Sequence, residues 1–238
     1  KRYAGSALGF LWVLLYPALL LGIYLFVYLV VFRVRFPGYS ELDYVLFVFA
    51  GLAPYLGFME ALTTGATSIK QNMHLVRNVM LPIELIPVRA VLAALATQVV
   101  ALVIVIGIAA AHGSLSINVV WLPLVVALQI LFLVGLVLIV ASVAVALPDI
   151  SYFVNLAVLM LIFISPIGFK PEMVPPGFGA LVYLNPVHYM TDSFRMSLLA
   201  TQAIHPVSLA IFTSISLVTF SAGAAFFRRF KGVLVDYE

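Results

Sequence analysis

Cysteine is absent from these 238 residues, and charge is scarce: twelve Lys and Arg and nine Asp and Glu make up 9% of the chain. Without a thiol there is no disulfide, no thiolate metal site and no cysteine nucleophile. So few charges cannot clothe a water-facing domain, in which roughly a quarter of the residues are charged. A GxxxxGK[ST] phosphate loop, an HExxH pair and a G-x-S-x-G elbow are all missing, which removes the usual signatures of nucleotide hydrolysis, zinc peptidases and serine hydrolases. His74, His112, His188 and His205 fall in loops or near span ends without ligand spacing. They read as surface or interfacial side chains, and neither a metal site nor a catalytic residue is expected. A net charge of +3 is too small to argue for nucleic acid. Neither a low-complexity segment nor a clear internal repeat is found.

What fills the chain is hydrophobicity, with 65% of residues apolar. The runs predict an all-α polytopic membrane protein, a single transmembrane domain over 1–238, with six spans at about 11–32, 44–67, 90–111, 119–147, 152–164 and 207–227. A span needs about 20 apolar residues to cross a hydrocarbon core of roughly 30 Å. The first run is too long for a cleavable signal peptide. Between the fifth and sixth spans, Pro166, Pro171, Pro175, Pro176 and Pro186 break up short apolar pieces such as GFGALVYL and HYMTDSFRMSLL. These read as re-entrant half-helices, tolerated at membrane depth only where protein or a water-filled cavity surrounds them.

Six spans put both termini on one side. With that side inside, the inner segments hold Lys1, Arg2, Lys70, Arg77, Arg89, Arg228, Arg229 and Lys231, against Arg33, Arg35, Lys170 and Arg195 outside. The positive-inside bias therefore favours cytoplasmic termini.

The longest polar, basic interruption is SIKQNMHLVRNVMLPIELIPVR at 68–89. On a helix, Ile69, Met73, Val76 and Met80 share one stripe and Lys70, His74 and Arg77 another, until Pro82 and Pro87 stop the pattern. It reads either as an ordinary basic cytoplasmic loop or as a short surface helix on which another protein pushes. Glu60, toward the cytosolic end of its span, is a weak anchor for an ion-driven carrier, which places ionisable groups near the bilayer centre. In the first span, Trp12 with Tyr16 and Tyr28 with Phe32 suit the interfacial belts. Tyr24, near the middle, needs a partner for its hydroxyl, either in a neighbouring helix or in a passage.

KRYAGSALGFLWVLLYP at 1–17, GLAPYLGFMEAL and the stretch above, SPIGF at 165–169, VPP at 174–176, LNP at 184–186 and Arg195 follow a familiar order. They resemble the membrane subunits of ATP-binding-cassette exporters of polysaccharide, of the O-antigen, teichoic acid and capsule type. The likeness covers nearly the whole chain, and its specificity lies in the order and spacing of the pieces. PDI at 148–150 stands where that family often has Arg-Asp-Ile, so no role of the arginine carries over.

The resemblance implies a homodimer of six-span subunits in the bacterial cytoplasmic membrane, a separate cytosolic nucleotide-binding ATPase that uses ATP and Mg, and no cofactor on this chain. The substrate would be a polysaccharide on a polyprenyl diphosphate lipid. It makes Ile69, Lys70, Gln71, Asn72, Met73, His74, Leu75, Val76, Arg77 and Asn78 the coupling helix to the ATPase. Trp12, Tyr16, Tyr24 and Tyr28 would line the passage, and Ser165, Pro166, Asn185, Pro186 and Arg195 an outer gate region. Family members carry an amphipathic helix before the RY motif, and Lys1, Arg2 and Tyr3 would stand at the cytosolic interface. There they would either meet the lipid diphosphate or serve as a plain positive anchor. A permease of the same architecture exporting a drug or small lipid is the alternative. A membrane-embedded glycosyl- or acyltransferase would need acidic or histidine residues clustered at one face, and a passive scaffold has no need of broken helices.

Overall fold

The computed structural model describes residues 11–33, 38–79, 82–175, 177–202 and 205–236, apart from the side chains of residues 13, 14, 16, 24, 29, 75–79 and 233–236. Lys1, Arg2, Tyr3 and the side chains of Tyr16, Tyr24, Leu75, Val76, Arg77 and Asn78 lie outside this description. The described residues form helices α1 (Leu11–Leu25), α2 (Glu41–Ala66), α3 (Ser68–Val79), α4 (Leu85–His112), α5 (Leu122–Ala146), α6 (Ile150–Ile164), α7 (Gly179–Tyr183), α8 (Pro186–Leu198) and α9 (Pro206–Asp236). Among the described residues, four segments are long and apolar enough to cross a membrane: Glu41–Ala66, Leu85–His112, Ile117–Ala146 and Pro206–Gly232. Pro17–Tyr28 and Ile150–Ile164 are shorter apolar helices.

Local chemistry sets the ends. Ser40 and Asp43 form a reciprocal capping box at the start of α2, satisfying amides that have no helical partner. Gly113, with φ of 74°, closes α4 in the left-handed conformation. Pro186 follows the N-cap Asn185, whose Oδ1 accepts from the Val187 amide.

The axis of the molecule is α2, packed against α1, α4, α5, α6 and α8. Gly51, Gly57 and Gly65 make this possible. An added Cβ would stand 2.5 Å from Arg195 Nη2 at the first, 1.9 Å from Gln98 Oε1 at the second and 2.5 Å from a Val137 methyl at the third. Each glycine therefore admits a side chain from a different helix. A second close contact joins α5 to α9, where a Cβ on Gly223 would fall 2.2 Å from the carbonyl oxygen of Gly135. Small residues at such a seam let backbones meet.

Two buried glutamines pair inside the bundle. Gln98 of α4 and Gln129 of α5 exchange amide hydrogen bonds at 2.6 and 2.9 Å, and Gln129 Nε2 also donates to the Pro54 carbonyl at 3.0 Å. Connecting segments gather at two ends. One end holds the capped start of α2, the α4–α5 turn and the described residues of 165–202. There, Leu115 bridges Leu199 and His112 lies 3.6 Å from Asp43. The other end holds α3 and the approach to α4, where Lys231 Nζ of α9 sits 2.9 Å from both Glu84 carboxylate oxygens. Residues 112–118, between α4 and α5, are thus a pairing site for the end of α8.

Candidate functional site

Two regions carry polar side chains in unusual positions, one at each end. At the loop end, Arg195 on α8 is only 3% exposed. A buried charge is tolerable only with full hydrogen bonding. Its Nε donates to the Phe47 carbonyl at 3.0 Å, Nη1 to Pro166 at 2.8 Å and Nη2 to Ile167 at 2.7 Å, with the guanidinium 3.7 Å from the centre of the Phe47 ring. The next carbonyl, Gly168, accepts from the Tyr44 hydroxyl at 2.8 Å. Three successive carbonyls of the segment after α6 are therefore held by side chains of α2 and α8. Ser165 Oγ, one residue earlier, accepts from Asn185 Nδ2 at 2.8 Å. The Tyr28 ring packs so close to Gly168 that an added Cβ there would meet it at 2.7 Å.

Ser165, Pro166, Asn185 and Arg195, scattered over 31 residues of sequence, thus belong to one clasp, with Arg195 buried inside it rather than exposed as a loop charge, while Pro186 opens α8 after Asn185. Tyr44 belongs to it too. The sequence held no sign of that, because a tyrosine at the start of a span reads as interfacial. Tyr28, half-buried, touches this clasp, whereas Trp12 is half-buried at the start of α1.

Beside the clasp lies a cavity of about 350 Å³ lined by Lys170, Glu172, Tyr183, His188, Asp192 and His205 among others. His188 departs from the surface position expected for it. It is 7% exposed, wedged between the rings of Tyr183 and Tyr189, with centroids at 5.6 and 4.8 Å. It lies on the inward stripe of α8 with Thr191 and Arg195, a spacing of three and four residues that a single histidine in the sequence does not advertise. Among the described residues no cluster of three His, Asp or Glu side chains is placed to hold a metal ion.

At the opposite end, α3 follows α2 after the single residue Thr67. Ile69 and Met73 are buried at 0% and 5%, while Lys70, Gln71 and His74 are exposed. Ile69 and Met73 inward and Lys70 and His74 outward fall where the periodicity put them, with Val76, Arg77 and Met80 outside the described side chains, but the helix is kinked. Asn72 has φ −119° and ψ 16°, and its side-chain amide donates to the Ser68 carbonyl at 2.8 Å. An asparagine that bonds the backbone in this way competes with the helical ladder. A cavity of about 360 Å³ opens between α2, α3 and α4, lined by Glu60, Thr64, Gln71, Asn72 and Arg89 among others. Nearby, the Lys231 ammonium holds the Glu84 carboxyl below its ordinary pKa.

The chain matches the family described as ABC-2 type transporter over residues 1–199. It is 27% identical, over 97% of its length and 87% of the relative, to an O-antigen export system permease protein RfbA of Klebsiella pneumoniae. A second protein of that name and organism is 25% identical over the same shares. A third, from Myxococcus xanthus, is 26% identical over 95% of this chain and 86% of its own length. The match takes in α1 through α8 and the clasp with them, and on that extent the chain belongs to the ABC-2 type transporter family.

Proposed function

We propose that this protein is the membrane subunit of an ATP-driven exporter of lipid-linked polysaccharide, working as a homodimer with a separate nucleotide-binding ATPase. The observation that carries the proposal is α3. It is a short kinked helix fixed by buried Ile69 and Met73, and it offers Lys70, Gln71 and His74 outward between two long membrane helices. A partner that closes on ATP can push on such a helix, and the two helices it joins carry the displacement into the bundle. The substrate class follows from the names of the relatives, matched nearly end to end.

In this reading the chain crosses the bacterial cytoplasmic membrane six times with both termini inside. α3 is cytoplasmic, and residues 165–202 form a re-entrant outer gate held by the Arg195 clasp. Lys1, Arg2 and Tyr3 meet the lipid diphosphate, and Trp12, Tyr16, Tyr24 and Tyr28 face the moving glycan. The test is export of lipid-linked polysaccharide by cells or vesicles with and without the ATPase. Export that depends on both, and that Met73→Glu or Arg77→Glu uncouples from ATP hydrolysis, is the expected result. Export that persists without the ATPase rejects the mechanism.

A further inference from the structure

We propose that Asn72 is the positioning residue of α3: its side chain sets the bend at which the partner ATPase meets the helix, while the exposed side chains beside it make the contact. This rests on the transport reading above. The bend lies inside the helix, at Asn72 with φ −119° and ψ 16°, and sharp kinks have identifiable causes. Neither proline nor glycine stands in Ser68–Val79, so the usual breakers are missing. What is present is the Asn72 side-chain amide, which donates to the Ser68 carbonyl at 2.8 Å. In an unbroken helix that carbonyl is the partner of the main-chain amide of Asn72 itself. The side chain therefore contests the one bond that would carry the helix straight through residue 72.

Both halves of the helix are seated, which fixes the bend in place. Before it, the buried Ser68 donates its hydroxyl to the Gly65 carbonyl at 2.7 Å, and Ile69 is buried too. After it, Met73 is buried. Asn72 is half-buried and lines the cavity between α2, α3 and α4 together with Thr64 and Arg89. Its amide is thus spent on its own chain, whereas Lys70 and His74 are exposed on either side of the bend. The bend sets the direction of one relative to the other. Residues 73–79 form an arm about 10 Å long, and about 20° of bend swings its end by about 4 Å. A hydrogen bond or ion pair to a partner does not survive a displacement of that size.

The test uses the full chain in complex with its ATPase, with ATP hydrolysis measured on the purified complex in liposomes and export measured as polysaccharide displayed by cells. Asn72→Ala removes the donor and installs the best helix former. Asn72→Thr keeps a donor that reaches the carbonyl four residues back and bends helices in doing so. Asn72→Ala should lower export per ATP hydrolysed about tenfold, within the usual range of coupling between sites, and Asn72→Thr should restore most of it. Asn72→Met, also without a donor, covers the case in which the alanine variant does not fold. Because the chain has no cysteine, spin labels go only where they are placed: Val79→Cys paired in turn with Leu92→Cys and Arg229→Cys. Asn72→Ala should shift at least one of these two distances by about 4 Å, and Asn72→Thr neither. Unchanged distances or wild-type export per ATP in Asn72→Ala, or a defect in Asn72→Thr equal to that of Asn72→Ala, would each overturn the assignment. Wild-type export that needs no ATPase removes the transport reading, and the label distances then decide the origin of the bend by themselves. ATPase-dependent export that Asn72→Ala leaves whole removes this assignment alone.

Discussion

Replacing Arg195 with Met removes the guanidinium fork and keeps a long flexible stem in its place. The carbonyls of Pro166 and Ile167, bonded at 2.8 and 2.7 Å, then lose their donors, at about 1–3 kcal/mol each. The Phe47 carbonyl lies inside α2, where the amide four residues on is its helical partner, so it adds little. The sum is about 2–6 kcal/mol. Because the freed segment is able to open toward water, the lower part of that range, about 2–4 kcal/mol, is expected. Arg195→Lys retains three donors without the planar fork and should cost about half as much. Gly51→Ala, whose methyl would stand 2.5 Å from Arg195 Nη2, should reproduce part of the loss without touching the arginine. Unfolding in mixed micelles gives the stability, and limited proteolysis between residues 165 and 171 reports the clasp. If Arg195→Met unfolds within about 0.5 kcal/mol of the wild type and its loop resists protease equally, the clasp does not hold the segment.

Gly223→Val should destabilise by at least the cost of overpacking, about 1–3 kcal/mol, because its branches meet the α5 backbone at Gly135; unchanged unfolding in mixed micelles would contradict that seam. Gln98→Leu should cost about 1–3 kcal/mol by leaving Gln129 Oε1 without its donor, while Gln98→Leu with Gln129→Leu should cost less than the sum of the two single changes, as a double-mutant cycle reads directly. The Glu84 carboxyl titrates below its unfolded value of about 4.3. Its tie to Lys231 is therefore fully present above that pH and is lost as pH falls through the lowered pKa. Hydrogen exchange at the end of α9 should accelerate in that acid window for the wild type and show no such step in Glu84→Gln.

The long helices were legible because composition alone demands a lipid or protein surround, and the proline and glycine punctuation lies close to the observed ends. The stripe of Ile69 and Met73 against Lys70 and His74 was legible from period. The kink at Asn72 was not, since it depends on a side chain choosing the Ser68 carbonyl over solvent. The Gln98–Gln129 pair left no trace in the sequence, because each glutamine is a lone polar residue in an apolar run and the partners stand 31 residues apart. In sequence, Arg195 stands out only by resemblance and reads as an outer loop charge. Its burial follows from carbonyls that only the folded chain places side by side. His188 was read as a surface group for the same reason: burial on α8 is set by what packs on it, which periodicity in a short, proline-bounded helix does not reveal.

Where Gly135 and Gly223 bring two backbones to touching distance, α5 and α9 can neither slide nor roll past one another without main chain striking main chain, so the pair has to travel as a single stiff spar. Lys231 grips Glu84 at the foot of that spar, just ahead of α4. Whatever displaces one of these two helices therefore moves both, and the ion pair ties that movement to the start of α4.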